Sequence, residues 1–298
     1  MLSKIANLIK FPGAARRRLK VQLVRPFVDY PYNTISYTEE DWDNLIILDA
    51  CRFDTFYNNN IYDEEPKQVH SNSCHTTEFL ENNFSKQNHD TVYVTASPQV
   101  VGYEENFHRV YHVWDTHWDE EHATVLPQDV NQVAIDAAET HPNKRLIIHY
   151  MQPHYPFIGP TADQIGVHGT FTGGQRQQQY ASVWDLLSAG KVDSETVKKA
   201  YEENLQIILP YVQELTDTLI GKTVVTSDHG NLFGKRVTRL PIKIEAHPPG
   251  VPDPELTAVP WLELPYSSRK EIVAESPDSI EKTARNVTER LRDLGYME

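Results

Sequence analysis

Three short segments combine acids and histidines that could bind a metal ion. They are LDACRFD (48–54), HYMQPHYPF (149–157) and TSDHGN (226–231). Asp49 from the first, with Asp228 and His229 from the last, would supply two carboxylates and an imidazole, a set suited to Zn²⁺ or Mn²⁺. Each also has a simpler interpretation, because Asp49 could cap a helix and Asp228–His229 could form a polar turn. The metal site is favoured if the three segments meet in the fold.

The elements around these segments predict that they do meet. Four short apolar runs are typical of strands buried on both faces: 45–48, 91–97, 144–151 and 222–228. Helical patterns lie between them at 128–140 and 194–219. Alternating strands and helices predict an α/β fold, a mainly parallel central sheet flanked by helices on both faces, with functional groups at the carboxyl ends of the strands.

Composition limits the domain organisation and the class of partner. The chain has 298 residues, is 39% hydrophobic and carries a formal net charge of −14. This charge argues against nucleic-acid binding, which requires a basic surface. We expect a basic N-terminal arm at 1–40 and one α/β domain at 41–298, with a Gly- and Gln-rich insertion at about 160–193.

The N-terminal arm contrasts in charge with the rest of the chain. Residues 1–30 contain seven Lys or Arg and one acid, and Leu2, Ile5, Leu8 and Ile9 share one helical face. The arm could lie on the acidic surface of the protein itself or contact a membrane peripherally. No run is long enough to span a bilayer or form a signal-peptide core. With only two cysteines, this predicts a cytoplasmic location, with any membrane contact on the inner face.

The segments VVTSDHG, IILDACRFD and HYMQPHYPF resemble the alkaline phosphatase superfamily, in its sulfatase-like branch, over about residues 42–264. The resemblance implies a three-layer alkaline-phosphatase/sulfatase-like sandwich that acts on phosphate or sulfate esters. It also implies that Asp49, Asp228 and His229 bind the metal. His154 resembles a family histidine that faces the sulfate or phosphate, and His247 resembles one that follows the Asp–His loop. Both would assist the leaving group or bind a second metal.

The resemblance further implies a nucleophile that is the fourth metal ligand and begins a helix within HSNSCHTTEFLENNF (70–84). Thr76 is the candidate, with Cys74 as the rival. The further alternatives are Ser73, Thr77 or the absence of a nucleophile. The C-x-P/A-x-R motif for maturation to formylglycine is absent, so we expect no formylglycine. Ala50 stands where many sulfatases carry a second acid, which favours Zn²⁺ or Mn²⁺ over Ca²⁺.

Together these features predict a metal-dependent hydrolase or transferase of phosphate or sulfate esters. Thr76 would attack the ester, and Arg52, His149 and Lys235 would bind the substrate, with positive charge stabilising the transition state. A surface glycan or a lipid-linked sugar is the expected type of ester. The alternative is a catalytically silent relative that binds glycans or a partner in surface-polymer assembly.

Overall fold

The strands and helices are those of a computed structural model that describes residues 12–30, 33–165, 182–278 and 287–294. The strands in these residues are β1 (Asn44–Leu48), β2 (Lys67–His70), β3 (Asn88–Thr95), β4 (Phe107–His112), β5 (Trp118–Asp119), β6 (Thr124–Val125), β7 (Arg145–Tyr150), β8 (Thr223–Thr226), β9 (Leu232–Arg236), β10 (Lys243–Ala246) and β11 (Ala258–Glu263).

The α-helices are α1 (Pro12–Val24), α2 (Phe53–Asn59), α3 (Thr76–Phe84), α4 (Val113–Thr116), α5 (Pro127–Thr140), α6 (Pro160–Ile165), α7 (Val183–Ser188), α8 (Ser194–Thr218), α9 (Pro254–Thr257) and α10 (Val287–Asp293). Short 3₁₀ helices occupy Arg25–Phe27, Pro98–Val100 and Glu104–Asn106.

Seven strands form one sheet in the order β2-β11-β8-β1-β7-β3-β4. The four strands expected from the sequence, β8, β1, β7 and β3, are neighbours at its centre and pair in parallel. Strand β11 is antiparallel to both β8 and β2. The predicted mainly parallel sheet is therefore confirmed, and its central strands end at the same edge.

Helices cover both faces of the sheet because β1 alternates its side chains between two cores. Ile46 and Leu48 pack in a cluster with apolar residues of α5 and α8. Leu45 and Ile47 pack on the other face with Phe79 and other residues of α3. Every residue of β1 is buried, as expected for a central strand between two helical layers.

The expected insertion at 160–193 contains packed helices at both ends. Ala162 of α6 and Trp184 of α7 are buried in a cluster with Tyr155, Phe157 and Tyr201. Residues 166–181 lie outside the described residues. The division into an arm at 1–40 and a domain at 41–298 stays a prediction.

Part of the basic arm folds against the α/β core. Arg17 of α1 pairs with Asp185 at 3.0 Å, and Lys20 pairs with Glu245 at 2.6 Å. The apolar residues of the predicted amphipathic segment (Leu2, Ile5, Leu8 and Ile9) lie outside the described residues. Among the helices that the structure does describe, none combines the length and the apolar character needed to cross a bilayer.

Candidate metal centre and active site

The carboxyl ends of three adjacent parallel strands bring the predicted ligands together. Asp49 follows β1, His149 lies near the end of β7, and Asp228 and His229 follow β8. All four side chains are fully buried. The site therefore lies where parallel α/β sheets place their functional groups.

Asp49, His149 and Asp228 each direct one ligand atom into a space where these atoms lie within 4.8 Å of one another. His149 Nε2 is 3.7 Å from Asp49 Oδ2. His229 Nε2 is 3.3 Å from Asp228 Oδ2 and 3.9 Å from Asp49 Oδ1. His149, which we expected to bind substrate, thus lies directly against the predicted metal ligands.

Thr76 of α3 brings a hydroxyl group to this cluster. It is the first residue of α3, it is fully buried, and its Oγ1 lies 3.2 Å from His229 Nε2. The predicted ligands Asp49, Thr76, Asp228 and His229 therefore share one site.

Hydrogen bonds at the far side of each imidazole orient its Nε2 towards the carboxylates. His229 Nδ1 lies 2.8 Å from the carbonyl of Gly230, and a carbonyl only accepts, so Nδ1 donates. In the neutral ring, Nε2 then carries the lone pair. His149 Nδ1 contacts the Tyr93 hydroxyl at 2.9 Å. This hydroxyl can donate or accept, so the contact orients the His149 ring without setting its tautomer, whereas the Gly230 carbonyl sets the tautomer of His229.

The residues present fit a divalent metal ion. Asp228 Oδ2 and His149 Nε2 are buried and have no hydrogen-bond partner among the described residues. Burying such groups without a partner is costly, and a cation would satisfy both. Two carboxylates with two imidazoles match the preferences of Zn²⁺.

The electrostatics of the cluster also suit metal binding. Burial lowers the pKa of His149 to about 4, so the ring is neutral at neutral pH, the form that binds metals. Burial alone would raise the pKa of Asp228, but His229, His149 and the Ala50 N–H outweigh it, and the net shift is downward. Asp228 is therefore ionised at neutral pH.

A tight turn after Asp49 connects the two halves of the site. Ala50 has φ of 58°, and its N–H donates to Asp228 Oδ1 at 3.0 Å. The Tyr201 hydroxyl donates to the Ala50 carbonyl at 2.7 Å and accepts from the Arg52 N–H at 2.9 Å. A non-glycine residue with this φ is strained and persists only where its surroundings hold it. Sequence reasoning missed Tyr201, which lies within the helical pattern at 194–219.

Ser227 holds the backbone of the same two loops. Its hydroxyl accepts from the Cys51 N–H at 2.8 Å and donates to the His229 carbonyl at 2.6 Å. From a third segment, the Ser71 hydroxyl donates to the Asp228 carbonyl at 2.5 Å. The sequence signal was the serine inside TSDHG, but its partners are distant in the chain and could not be inferred.

A group of histidines lies beside the metal ligands. His154 Nε2 and His247 Nε2 are 2.8 Å apart, and the ring centroids of His247 and His229 are 4.6 Å apart. His75, which sequence reasoning missed, has its ring centroid 5.2 Å from that of His247. Burial lowers the pKa of His154 to about 3 and of His75 to about 4. These rings are neutral at neutral pH.

The two cations expected to bind substrate are engaged by acids. The Arg52 guanidinium pairs with Asp54 and with Glu255, each at 2.5 Å. Lys235 pairs with Asp253 at 2.7 Å and with Glu255 at 3.1 Å. Through Glu255, both cations hold α9 against the segments that follow Asp49 and His229. Their contact with substrate stays a prediction.

Cys74 lies in a different environment from Thr76. Its Sγ contacts Glu78 Oε2 at 3.1 Å and the Tyr30 hydroxyl at 3.2 Å, in a cluster with Val24 and Leu232. Burial, followed by the charge of Glu78, raises the pKa of this thiol to about 12. Because a thiolate is the reactive form, Cys74 is a poor nucleophile here.

Comparison with known proteins shows the fold. No family model and no curated protein sequence matches the chain. The zinc complex of the C-terminal periplasmic domain of EptC from Escherichia coli matches with a TM-score of 0.50 at 13% identity, covering 82% of this chain and 78% of that one. This match confirms the alkaline-phosphatase-like α/β sandwich.

Two further matches come from Neisseria meningitidis. The soluble domain of lipooligosaccharide phosphoethanolamine transferase A matches with a TM-score of 0.48 at 13% identity, covering 74% of this chain and 75% of that one. The integral membrane protein EptA matches with a TM-score of 0.46 at 14% identity, covering 84% of this chain and 53% of that one.

The expected cytoplasmic location is wrong by this comparison. The E. coli domain with this fold is periplasmic. The expectation rested on the lack of an apolar leader and on the small number of cysteines. Cys51 and Cys74 are both buried and free, a state that either compartment allows.

Proposed function

We propose that this domain is a metal-dependent phosphotransferase located outside the cytoplasmic membrane. It would move a phosphate-linked group between esters of a surface glycan or lipid, with Thr76 as the nucleophile. The observation that supports this proposal is the position of Thr76 Oγ1, 3.2 Å from His229 Nε2 in the buried cluster of acids and histidines.

The metal would be held by Asp49, Asp228, His229 and Thr76, with His149 against them. When bound, Zn²⁺ would supply positive charge that lowers the pKa of the threonine hydroxyl and polarises a phosphoryl oxygen. The rest of the chemistry depends on how the residues of the chain hold the substrate and move protons.

Thr76 is oriented for attack by its position at the start of α3. The N-terminus of this nine-residue helix carries partial positive charge that favours a phosphate group. The Thr76 oxygen would form a bond to phosphorus while the bond from phosphorus to the donor alcohol breaks. The proton that Thr76 loses would end on the departing alkoxide, which leaves as an alcohol. The oxygen of an acceptor hydroxyl would then bond to phosphorus as the bond to Thr76 breaks, and the acceptor's proton would end on Thr76.

The His154–His247 pair lies beside the metal ligands and would assist the leaving group. His154 Nδ1 contacts the Tyr155 carbonyl, to which it can only donate. In neutral His154 the Nε2 atom is then an acceptor, so the 2.8 Å contact requires His247 Nε2 to donate. His247 therefore holds the proton between the two rings. Because both rings are neutral, the pair would stabilise the departing oxygen by a hydrogen bond and would not give up this proton. The same two atoms could instead hold a second cation.

We favour a phosphate ester over a sulfate ester because Thr76, not a cysteine that matures to formylglycine, occupies the nucleophile position. If water replaces the acceptor hydroxyl, the same residues would act as a hydrolase. Phosphoethanolamine, the group named for the Neisseria transferase, is the first group to test.

The test is transfer from a fluorescent phosphatidylethanolamine in detergent micelles with Zn²⁺. We expect release of labelled diacylglycerol and a phosphoethanolamine adduct on the peptide that contains Thr76, detected by mass spectrometry. Thr76→Ala and Asp228→Asn should abolish both signals. Thr77→Ala is the matched control, because Thr77 is adjacent but exposed. Aryl phosphate and aryl sulfate esters, assayed in parallel, would report the ester class.

Two results would contradict the proposal. If Thr76→Ala retains the rate of the wild type, the nucleophile is wrongly assigned. If the wild-type protein neither binds Zn²⁺ nor turns over any of these esters, the domain is not a metal-dependent transferase. The binding-module interpretation would then be the better one.

A further inference from the structure

An apolar stripe lies on the outer face of α1 and the 3₁₀ helix that follows it. Leu19, Leu23 and Phe27 are spaced four residues apart, and 57%, 48% and 67% of their respective surfaces are exposed. Leu19 and Leu23 share one face of α1, because residues four apart in an α-helix lie on the same face. Phe27 is the last residue of the 3₁₀ helix that follows. Scattered apolar residues on a surface are ordinary, but an ordered stripe is not.

The opposite face of α1 is fixed to the α/β core, so the outward direction of the stripe is set by the fold. Arg17 pairs with buried Asp185, and Lys20 with buried Glu245. Val24 is fully buried in the cluster that includes Cys74. These contacts use one face of the helix and leave the stripe on the other.

Basic residues flank the stripe. Arg16, Arg18 and Arg25 are exposed beside it, whereas the chain as a whole carries a net charge of −14. An apolar stripe with arginines at its borders is the pattern of a helix that lies in the interface of an anionic bilayer. A symmetric contact with a second copy would place arginines against arginines, which disfavours that occupant.

The stripe is also linked to the candidate active site through short contacts. The Tyr30 hydroxyl, three residues beyond Phe27, donates to Glu78 Oε2 at 2.6 Å. Glu78 lies in the first turn of α3, which begins at Thr76, and its Oε1 accepts from the Gly250 N–H at 2.7 Å. The segment that follows the stripe therefore packs against the first turn of α3, the helix that begins at Thr76.

We propose that the stripe of Leu19, Leu23 and Phe27, with its flanking arginines, docks the domain on the headgroup region of an anionic membrane. This surface would present a lipid-linked substrate to Thr76. The inference rests on the proposed function for its purpose, but the docking itself requires neither metal nor turnover.

The test is sedimentation of the full chain with vesicles in the presence of EDTA. We expect binding to phosphatidylcholine vesicles that contain about 30% phosphatidylglycerol, weakened by salt, and much weaker binding to pure phosphatidylcholine. The variant Leu19→Ser/Leu23→Ser/Phe27→Ser should bind the anionic vesicles roughly ten-fold more weakly or worse. The matched control is Ile220→Ser/Tyr266→Ser, whose side chains are 66% and 50% exposed elsewhere on the surface.

Several outcomes would overturn the proposal. Equal binding by the stripe variant and the wild type would assign any membrane contact to another segment, such as residues 1–11. If light scattering showed that the wild type is a dimer and the stripe variant a monomer, a second copy would cover the stripe. Failure of the vesicle test with retained turnover of an aryl phosphate would refute the docking alone. Vesicle binding without turnover of an aryl phosphate would refute the proposed function alone.

Discussion

Replacing Tyr201 with phenylalanine tests whether the strained turn after Asp49 is held from α8. The Tyr201 hydroxyl donates to the Ala50 carbonyl at 2.7 Å and accepts from the Arg52 N–H at 2.9 Å. Tyr201 is fully buried, so phenylalanine would fill the same space without these two bonds. The turn would lose one hydrogen bond at Ala50 and one at Arg52, the residues on either side of Cys51.

The expected magnitude follows from the two backbone groups left unsatisfied. A buried donor or acceptor that loses its partner costs about 1–3 kcal/mol. We expect Tyr201→Phe to lower the free energy of unfolding by about 2–4 kcal/mol. Release of the turn would also move the Ala50 N–H away from Asp228 Oδ1, which it contacts at 3.0 Å. Loss of an outer contact of this kind should weaken Zn²⁺ binding by about ten-fold or more.

Two assays separate these effects: urea unfolding in EDTA, and Zn²⁺ affinity by competition with a chromophoric chelator without denaturant. Tyr211→Phe is the matched control, since Tyr211 lies in the same helix and its hydroxyl makes no hydrogen bond within the described part of the chain. The reasoning would be supported if Tyr211→Phe kept the unfolding free energy and Zn²⁺ affinity of the wild type while Tyr201→Phe lost part of both. It would be refuted if Tyr201→Phe matched the wild type in Zn²⁺ affinity while remaining folded.

Three further predictions concern single groups. Ala50→Gly should raise the free energy of unfolding in urea by about 0.5–1 kcal/mol, because φ of 58° strains alanine but not glycine. Cys74 should react slowly with a thiol reagent at pH 8 in the native protein and rapidly in urea, because burial raises its pKa to about 12. Burial lowers the pKa of Lys270 from 10.5 to about 8, so the native state releases this proton first as pH rises. The free energy of unfolding should therefore increase between about pH 8 and pH 10.5, an increase that Lys270→Gln should reduce.

The sequence predicted the central sheet well because each of its central strands contains a short apolar run and helical patterns lie between some of them. Strands β8, β1, β7 and β3 are buried on both faces, which makes their sequences distinctive. Strand β2 has exposed and half-buried residues without an apolar run, and its place beside β11 depends on contacts distant in the chain. Such an edge strand gives little local signal.

The residues of the candidate site likewise divide into those that could be predicted from the sequence and those that could not. Asp49 and Asp228–His229 could be found because they directly follow the two strands β1 and β8. Tyr201 could not be distinguished from the core residues of its helix, because a tyrosine at an apolar position looks the same whether or not its hydroxyl is used. Arg52 and Lys235 were identified by their charge, but their common partner Glu255 is distant from both in the chain and could not be inferred.

The cluster that would bind the metal also links metal binding to stability. Asp49 and Asp228 place two carboxylate oxygens within 4.8 Å of each other and of His149, in fully buried surroundings. A dication held by these groups would stabilise the folded chain. An asparagine at position 228 would keep the Oδ1 that accepts from the N–H groups of Ala50 and His229 and would remove one charge. Because the pKa of Asp228 is lowered in the folded chain, its negative charge stabilises the fold at neutral pH. The metal-free form of Asp228→Asn should therefore be less stable than the wild type in urea unfolding, and its Zn²⁺ affinity should fall as well.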